Sequence, residues 1–265
     1  MGAETSRRHG TLLRVFGFIT GSGFYELPGL EQSQVATVDT PYGEVDVTTG
    51  TWHDQPVAFL PRHGGSHSIS PQQINYRANI WALASVGVSD ILATAVSGGI
   101  ADHLTPGSLV LIDDFIDWTT GRSRHLLRQP GRGPPHRHEA RPTTRSLRAA
   151  LNIAAEELQI PLVRAGTYIC FNGPRFETRA EIRMARTLGA DLVGMTGYPE
   201  VALAVEHGVR YASVGVISNP AAGLSDTEIS IDDIWAVIND AKDTVLTLFA
   251  RVVQGGTHRD EEANQ

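Results

Sequence analysis

Ile91-Leu92-Ala93-Thr94-Ala95-Val96 runs directly into Ser97-Gly98-Gly99. An uncharged apolar run of this length, halted by glycine, suits a strand buried on both faces, as in a parallel sheet. The same pattern recurs on either side. Arg14-Val15-Phe16-Gly17-Phe18-Ile19 stops at Gly21-Ser22-Gly23, and Val57-Ala58-Phe59-Leu60 stops at Pro61-Arg62-His63-Gly64. Asp191-Leu192-Val193-Gly194-Met195 and Ala212-Ser213-Val214-Gly215-Val216-Ile217 follow.

Helical patterns lie between these strands. Ser70-Pro71 predicts an N-cap followed by proline at the first helical position, with Ile74, Ala78, Trp81 and Ala82 on one face and Gly87 as the stop. Leu147, Leu151, Ala154 and Leu158 form a second stripe. Thr178 and Glu181 have capping-box spacing and open a third helix. Ile234, Ile238, Ala241, Val245, Leu248 and Val252 continue one stripe over several turns. Strands alternating with helices predict an α/β fold: a single domain over residues 14–254, with a central mixed, mainly parallel sheet flanked by helices. Residues 1–13 read as a flexible lead-in and 255–265 as a polar, disordered tail. Residues 122–141, rich in Arg, His, Pro and Gly, read as a long mobile loop, either a lid or contact element or a plain solvated connection.

The 265 residues carry a net charge of -7, which argues against a nucleic-acid binder. The lone cysteine, Cys170, permits no intrachain disulfide and reads as a small core residue. The residue pattern contains no metal-ligand spacing. Residues 1–14 are polar and basic, unlike a secretory signal, and no apolar stretch approaches the ~18 residues of a membrane span. The expected location is cytoplasmic, without membrane or nucleic-acid partners.

Ligands of open α/β sheets bind beyond the carboxyl ends of the strands. Those ends hold Gly21-Ser22-Gly23, Arg62-His63, Ser97-Gly98, Met195-Thr196 and Ser218-Asn219. Glycines admit an oxyanion to backbone N–H groups, Ser22 and Thr196 add hydroxyls, and Arg62 adds a planar charged fork. A Gly-Ser-Gly also serves as an ordinary tight turn, and a lone Arg as a surface charge. Together the donors point to phosphate.

Longer motifs join these: Arg62-His63-Gly64-x-x-His67 with Asn75-Tyr76-Arg77-Ala78-Asn79; Asp113-Asp114-Phe115-Ile116-Asp117 with Thr119-Thr120; Asn172-Gly173-Pro174-Arg175-Phe176-Glu177-Thr178; and Gly194-Met195-Thr196-Gly197-Tyr198-Pro199-Glu200. With them the chain resembles the trimeric purine nucleoside phosphorylases, in particular the methylthioadenosine phosphorylase branch. The resemblance implies a homotrimer that cleaves an N-glycosidic bond with inorganic phosphate as co-substrate, without cofactor or metal. It implies that Ser22, Arg62, His63, Thr196 and the Val96 backbone hold phosphate, that Met195 lies under the sugar, that Phe176 packs on the purine, and that residue 219 meets the base edge. In such a trimer, His136 or His138 of the loop is a candidate to visit a neighbour's site. As plain structure, Met195 and Phe176 serve equally as core residues, and His63 or His67 as satisfied histidines.

Three departures from the adenine-specific pattern carry information. Asn219 and Ala221 stand where adenine enzymes of this branch place two aspartates, and Glu177 where they commonly have serine. An ionised Glu only accepts hydrogen bonds. It therefore matches the N1 proton of a 6-oxopurine and opposes the lone pair of adenine N1. Glu177 and Asn219 are thus the expected catalytic and base-recognising pair, with Ala221 beside them. Ile231, Ile234 and Trp235 would offer hydrocarbon to a 5′-methylthio group, or form the core face of the last helix. 5′-Methylthioinosine is the favoured substrate. The alternatives are methylthioadenosine, inosine or guanosine, or nucleoside binding without catalysis. Ala95 stands where relatives usually carry Thr or Asn near phosphate, with Ser97 as the replacement donor.

Overall fold

A computed structural model describes residues 14–65, 68–126, 143–225 and 229–255. In chain order the elements are β1 (Val15–Thr20), β2 (Glu31–Thr40), β3 (Gly43–Trp52), β4 (Gln55–Pro61), α1 (Tyr76–Ser85), β5 (Val88–Gly99), β6 (Leu109–Asp117), α2 (Arg145–Glu157), β7 (Leu162–Cys170), α3 (Arg179–Thr187), β8 (Leu192–Gly194), α4 (Gly197–His207), β9 (Arg210–Pro220) and α5 (Ile231–Gly255). The lead-in at 1–13, His67, most of the 122–141 loop with His136 and His138, and the tail beyond 255 lie outside the described residues.

The run at 91–96 forms the interior of β5, the hub of the sheet. β5 pairs in parallel with β1 on one side and with β9 on the other, and its last residues pair antiparallel with β8. The strand order is β2-β3-β4-β1-β5-β8-β7-β6-β9, with β9 returning to β5, so that β5, β8, β7, β6 and β9 close into a ring. Every ring strand contributes to one buried cluster, through Ala95, Val110, Ile112, Tyr168, Cys170, Leu192 and Ile217. Cys170 is fully buried there, and that burial pushes its thiol pKa up to about 11. The expected mixed, mainly parallel sheet is present, and the helices cover it. α5 lays Ile238, Val245, Leu248 and Phe249 against Phe16, Phe18 and Leu92, while α1 and α4 bury Ile80, Leu83, Val201 and Leu203 with Ile19, Leu60 and Ile91.

Some local details differ from expectation. Ser70 does not cap α1, because residues 71–73 form turns. The cap is Asn75, whose side chain accepts from the Ala78 N–H at 3.2 Å. Asn75 also reaches the Tyr42 carbonyl at 2.7 Å, which ties the helix start to the β2–β3 hairpin. The start of the expected loop is anchored: Leu126 is buried, its N–H donates to Glu206 at 2.9 Å, and Arg124 pairs with Asp117 at 2.9 Å. The Thr178–Glu181 capping box at α3 forms as expected, with both reciprocal bonds present.

The ring also sets the turn after β8. Tyr168 is fully buried, and its hydroxyl oxygen accepts the Thr196 N–H at 3.2 Å. A Cβ on Gly194 would stand 2.3 Å from that same oxygen. Gly194→Ala should therefore push Tyr168 off the turn and destabilise the fold by about 1–3 kcal/mol, the usual cost of overpacking a core, as read from the midpoint of urea unfolding.

Candidate active site

The strand ends converge on one cavity of about 280 Å³, whose wall contains every expected ligand residue except Ile231 and Trp235. At one end, Gly21 and Ser22 follow β1, and Arg62 and His63 follow β4. Arg62 is only 2% exposed. Its Nε and Nη2 donate to Glu200 at 2.6 and 2.7 Å, and Nη1 donates to the Thr94 carbonyl at 3.0 Å. Tyr211 donates to the same carboxylate at 2.8 Å. Burial opposes the guanidinium charge, but Glu200 outweighs it and holds the Arg62 pKa well above its usual value. A guanidinium has five N–H groups. Three are used here, so one on Nη1 and one on Nη2 remain for a ligand at the cavity floor.

The loop above Arg62 is held close. The Gly21 N–H donates to Thr94 Oγ1 at 3.0 Å, and a Cβ on Gly21 would lie 3.2 Å from Arg62 Nη1. His63 is oriented by a 2.8 Å bond between Nδ1 and the Ile69 carbonyl. Thr196 is the N-cap of α4, yet its side chain makes no capping bond, so its hydroxyl is not committed to the helix. Val96, Ser97 and Gly98 form the β5 wall. Ala95 corrects the reading of this strand. It is 2% exposed within the ring cluster and does not line the cavity, while the Ser97 hydroxyl donates to the Ala95 carbonyl at 3.0 Å. The hydroxyl that serves the Gly21 loop is that of Thr94.

The other end holds Phe176, Glu177, Asn219 and Ala221. Glu177 is 8% exposed and its Oε1 is buried without a hydrogen-bond partner. Burial, followed by the charge of Glu181, raises its pKa. Asn219 donates from Nδ2 to the Pro220 carbonyl at 2.8 Å, and its Oδ1 accepts from Ser218 at 2.7 Å. The second amide N–H is left for a ligand. The loop bearing Phe176 and Glu177 is tied to α3 by Arg175, which meets both oxygens of Glu181 at 2.7 and 2.8 Å. That contact, with the Thr178 N–H, holds the Glu181 pKa down to about 2.

Met195, Pro71, Ile229 and Ile234 also line the cavity. Met195 packs under Gly173, where a Cβ would stand 2.3 Å from its sulfur. The expected apolar end is only partly the one observed. Ile231 is 64% exposed on the outer face of α5, and Trp235 lies under the Gly23 turn, not in the cavity wall. The first turn of α5 presents Ile234 inward, and Ile229, one residue before Ser230, takes the place expected of Ile231. Glu200 and Ser218 stand in the quoted motifs without a role of their own in the sequence, because each acts through a neighbour, Arg62 and Asn219. Among the described residues no group of three or more His, Cys, Asp or Glu is placed to hold a metal ion.

Residues 15–254 match the phosphorylase superfamily. The chain belongs to that superfamily. It is 41% identical over 242 residues to a 6-oxopurine nucleoside phosphorylase of Pyrococcus furiosus, covering 89% of this chain and 90% of the relative. It is 36% identical over 242 residues to a probable S-methyl-5′-thioinosine phosphorylase of Methanothermobacter thermautotrophicus, covering 91% and 84%. A structure of methylthioadenosine phosphorylase from Schistosoma mansoni in complex with adenine superposes with a TM-score of 0.86 at 31% identity, covering 91% of each chain. The resemblance carried by the sequence motifs is thereby borne out, and the chain is an enzyme of the nucleoside phosphorylase type.

The buried pair yields a prediction. Glu200→Gln keeps the shape but leaves Arg62 without its carboxylate. Breaking a buried pair from one side typically costs about 3–5 kcal/mol. Chemical unfolding should show a loss of that size, and Tyr211→Phe, which removes one neutral donor to Glu200, a smaller one.

Proposed function

We propose that the enzyme phosphorolyses 6-oxopurine nucleosides, with 5′-methylthioinosine preferred, to hypoxanthine and 5-methylthioribose 1-phosphate. The observation that carries this reading is the unpartnered, buried Glu177 carboxylate oxygen in the same cavity wall as Asn219. The names of the two relatives agree with it.

A phosphate oxygen attacks C1′ as the bond from C1′ to N9 breaks, and the electron pair of that bond leaves with the purine. The two unused N–H groups of Arg62, the Ser22 and Thr196 hydroxyls, His63 and the β5 backbone at Val96 would hold the phosphate below the sugar. Fixing attacker and leaving group in line supplies much of the rate. The sugar becomes cationic in the transition state, and the adjacent phosphate stabilises it. The purine becomes anionic, and the free Asn219 N–H meets the charge in the N7 or O6 region. Glu177 accepts from N1–H, which satisfies the oxygen that the protein leaves bare. Adenine would set a lone pair against it, and a buried mismatch of this kind costs about 1–3 kcal/mol. Ile229 and Ile234 would face a 5′-methylthio group. Phosphate is a co-substrate, and the scheme uses no cofactor or metal. The resemblance supports a homotrimer. A cytoplasmic location fits this role, and no helix among the described residues is long and apolar enough to cross a membrane.

Methylthioinosine, methylthioadenosine and inosine, each with and without phosphate, test the proposal. Phosphate-dependent release of hypoxanthine, fastest from methylthioinosine, is the expected outcome, and dominant adenine release would refute the base assignment. Glu177→Gln should reduce the preference for methylthioinosine over methylthioadenosine roughly 10- to 100-fold, the equivalent of one lost buried match.

The raised pKa of Glu177 gives the preference a pH dependence. Above that pKa the ionised group accepts from N1–H. Below it the neutral acid donates, which suits adenine N1. The ratio of kcat/KM for methylthioinosine to that for methylthioadenosine should therefore fall as the solution is acidified through the Glu177 pKa. A flat ratio would show that Glu177 does not read N1.

A further inference from the structure

Arg122 opens the segment read from sequence as an aperiodic loop, but its side chain turns inward. Nη2 donates to the carbonyl oxygens of Asn172 at 3.1 Å and Met195 at 2.8 Å. Nη1 donates to the Tyr198 carbonyl at 2.5 Å and lies 3.7 Å from Cys170 Sγ. The guanidinium carbon sits 5.2 Å from the centre of the Tyr76 ring. Among the described residues Arg122 forms no salt bridge. It is a cation held by backbone carbonyls and one aromatic face.

Each carbonyl belongs to a different part of the site. Asn172 begins the loop that ends in Phe176 and Glu177. Met195 precedes Thr196 in the turn at the phosphate end. Tyr198 begins the segment that carries Glu200, the partner of Arg62. One rigid, planar fork thus spans the base loop, the phosphate turn and the support of the buried arginine. A lysine ammonium is a point donor on a flexible stem and cannot reproduce that spacing.

We infer that Arg122 is a positioning residue: it registers the base-binding loop against the phosphate-binding turn, so that purine and phosphate stand in line across C1′. The inference rests on the phosphorolysis proposed above. It separates two effects that a merely structural role would merge. Each half-site is built from its own residues and keeps its affinity for its own ligand when Arg122 is lost. The alignment of the two, expressed in turnover and in the mutual enhancement of binding, does not survive.

The test uses Arg122→Met and Arg122→Lys in the full chain. Folded sites are counted by titration, kcat and both KM values are measured, and calorimetry follows inorganic phosphate alone, hypoxanthine alone and the two together. The expected result for Arg122→Met is a fall in kcat per folded site of about 100-fold, the scale of a misplacement near 1 Å. Phosphate and hypoxanthine should each bind singly as in the wild type, while the enhancement of one by the other is lost. Arg122→Lys should fall between, and it carries the same test if Arg122→Met does not fold. Wild-type kcat per folded site in the variant overturns the inference. So does a loss explained wholly by fewer folded sites, or a loss of single-ligand affinity as large as the loss in kcat. A wild-type enzyme that releases no base with phosphate overturns the phosphorolysis itself and this inference with it, whereas wild-type turnover with an unaffected variant overturns this inference alone.

Discussion

The pairing of Arg62 with Glu200 is the constraint around which the site is built. Both groups lie out of water, where isolated charges are costly and survive only when paired and hydrogen-bonded. The geometry meets that condition. Two parallel bonds join the charges, the Thr94 carbonyl takes a third guanidinium N–H, and Tyr211 donates to the carboxylate. In this way the end of β4, the middle of β5, the first turn of α4 and the start of β9 are held to one point. The pair also leaves the arginine with donors to spare beneath the Gly21 loop. The stability of the strand ends and the electrostatics of the cavity floor therefore have a common origin.

The closed ring of β5, β8, β7, β6 and β9 does the complementary work at the roof. It is narrow enough that Gly215 is needed beside Leu192, where a Cβ would come within 2.6 Å. Its filling residue, Tyr168, projects its hydroxyl to the turn that bears Met195 and Thr196. Hydrophobic packing within the ring thus sets the height of that turn above the sheet. The Phe176–Glu177 end is framed separately, by the Arg175–Glu181 pair and the α3 capping box, so that the two halves of the cavity rest on different supports.

The apolar runs that stop near glycine or proline identified β1, β4, β5, β8 and β9 because those strands are largely buried, and their carboxyl ends pointed to the cavity for the same reason. β2 and β3 escaped this reading. β2 is exposed almost throughout and pairs as an extension of the sheet edge, so its sequence carries no burial signal. β6 shows in the sequence only through the Asp113–Asp117 motif it contains, and β7 carries no motif and no uninterrupted apolar run. Ser70-Pro71 makes a good cap locally and so predicts too early a start for α1, whereas Asn75 makes a better one once Tyr42 is adjacent. The position of Ala95 suggests from sequence that it faces the ligand, but alternation along β5 turns it into the ring instead. Ile231 and Ile234 look equivalent in sequence, and only the entry angle of α5 separates them. The polar candidates Ser22, Arg62, His63, Thr196 and Asn219 were legible because they sit at strand ends, and Glu177 through the Asn172–Thr178 motif. Glu200 and Arg122 were not, because their partners are distant along the chain.

The one thiol of the chain is sealed in the same ring. Burial pushes the Cys170 pKa up to about 11, with Arg122 only partly opposing it, and a thiol attacks electrophiles as its thiolate. Cys170 is therefore chemically silent while the ring is closed and reactive once it opens. Unlike a fluorescence signal averaged over several tryptophans, it acts as a built-in counter: each molecule labelled by a thiol reagent is one whose central ring has come apart.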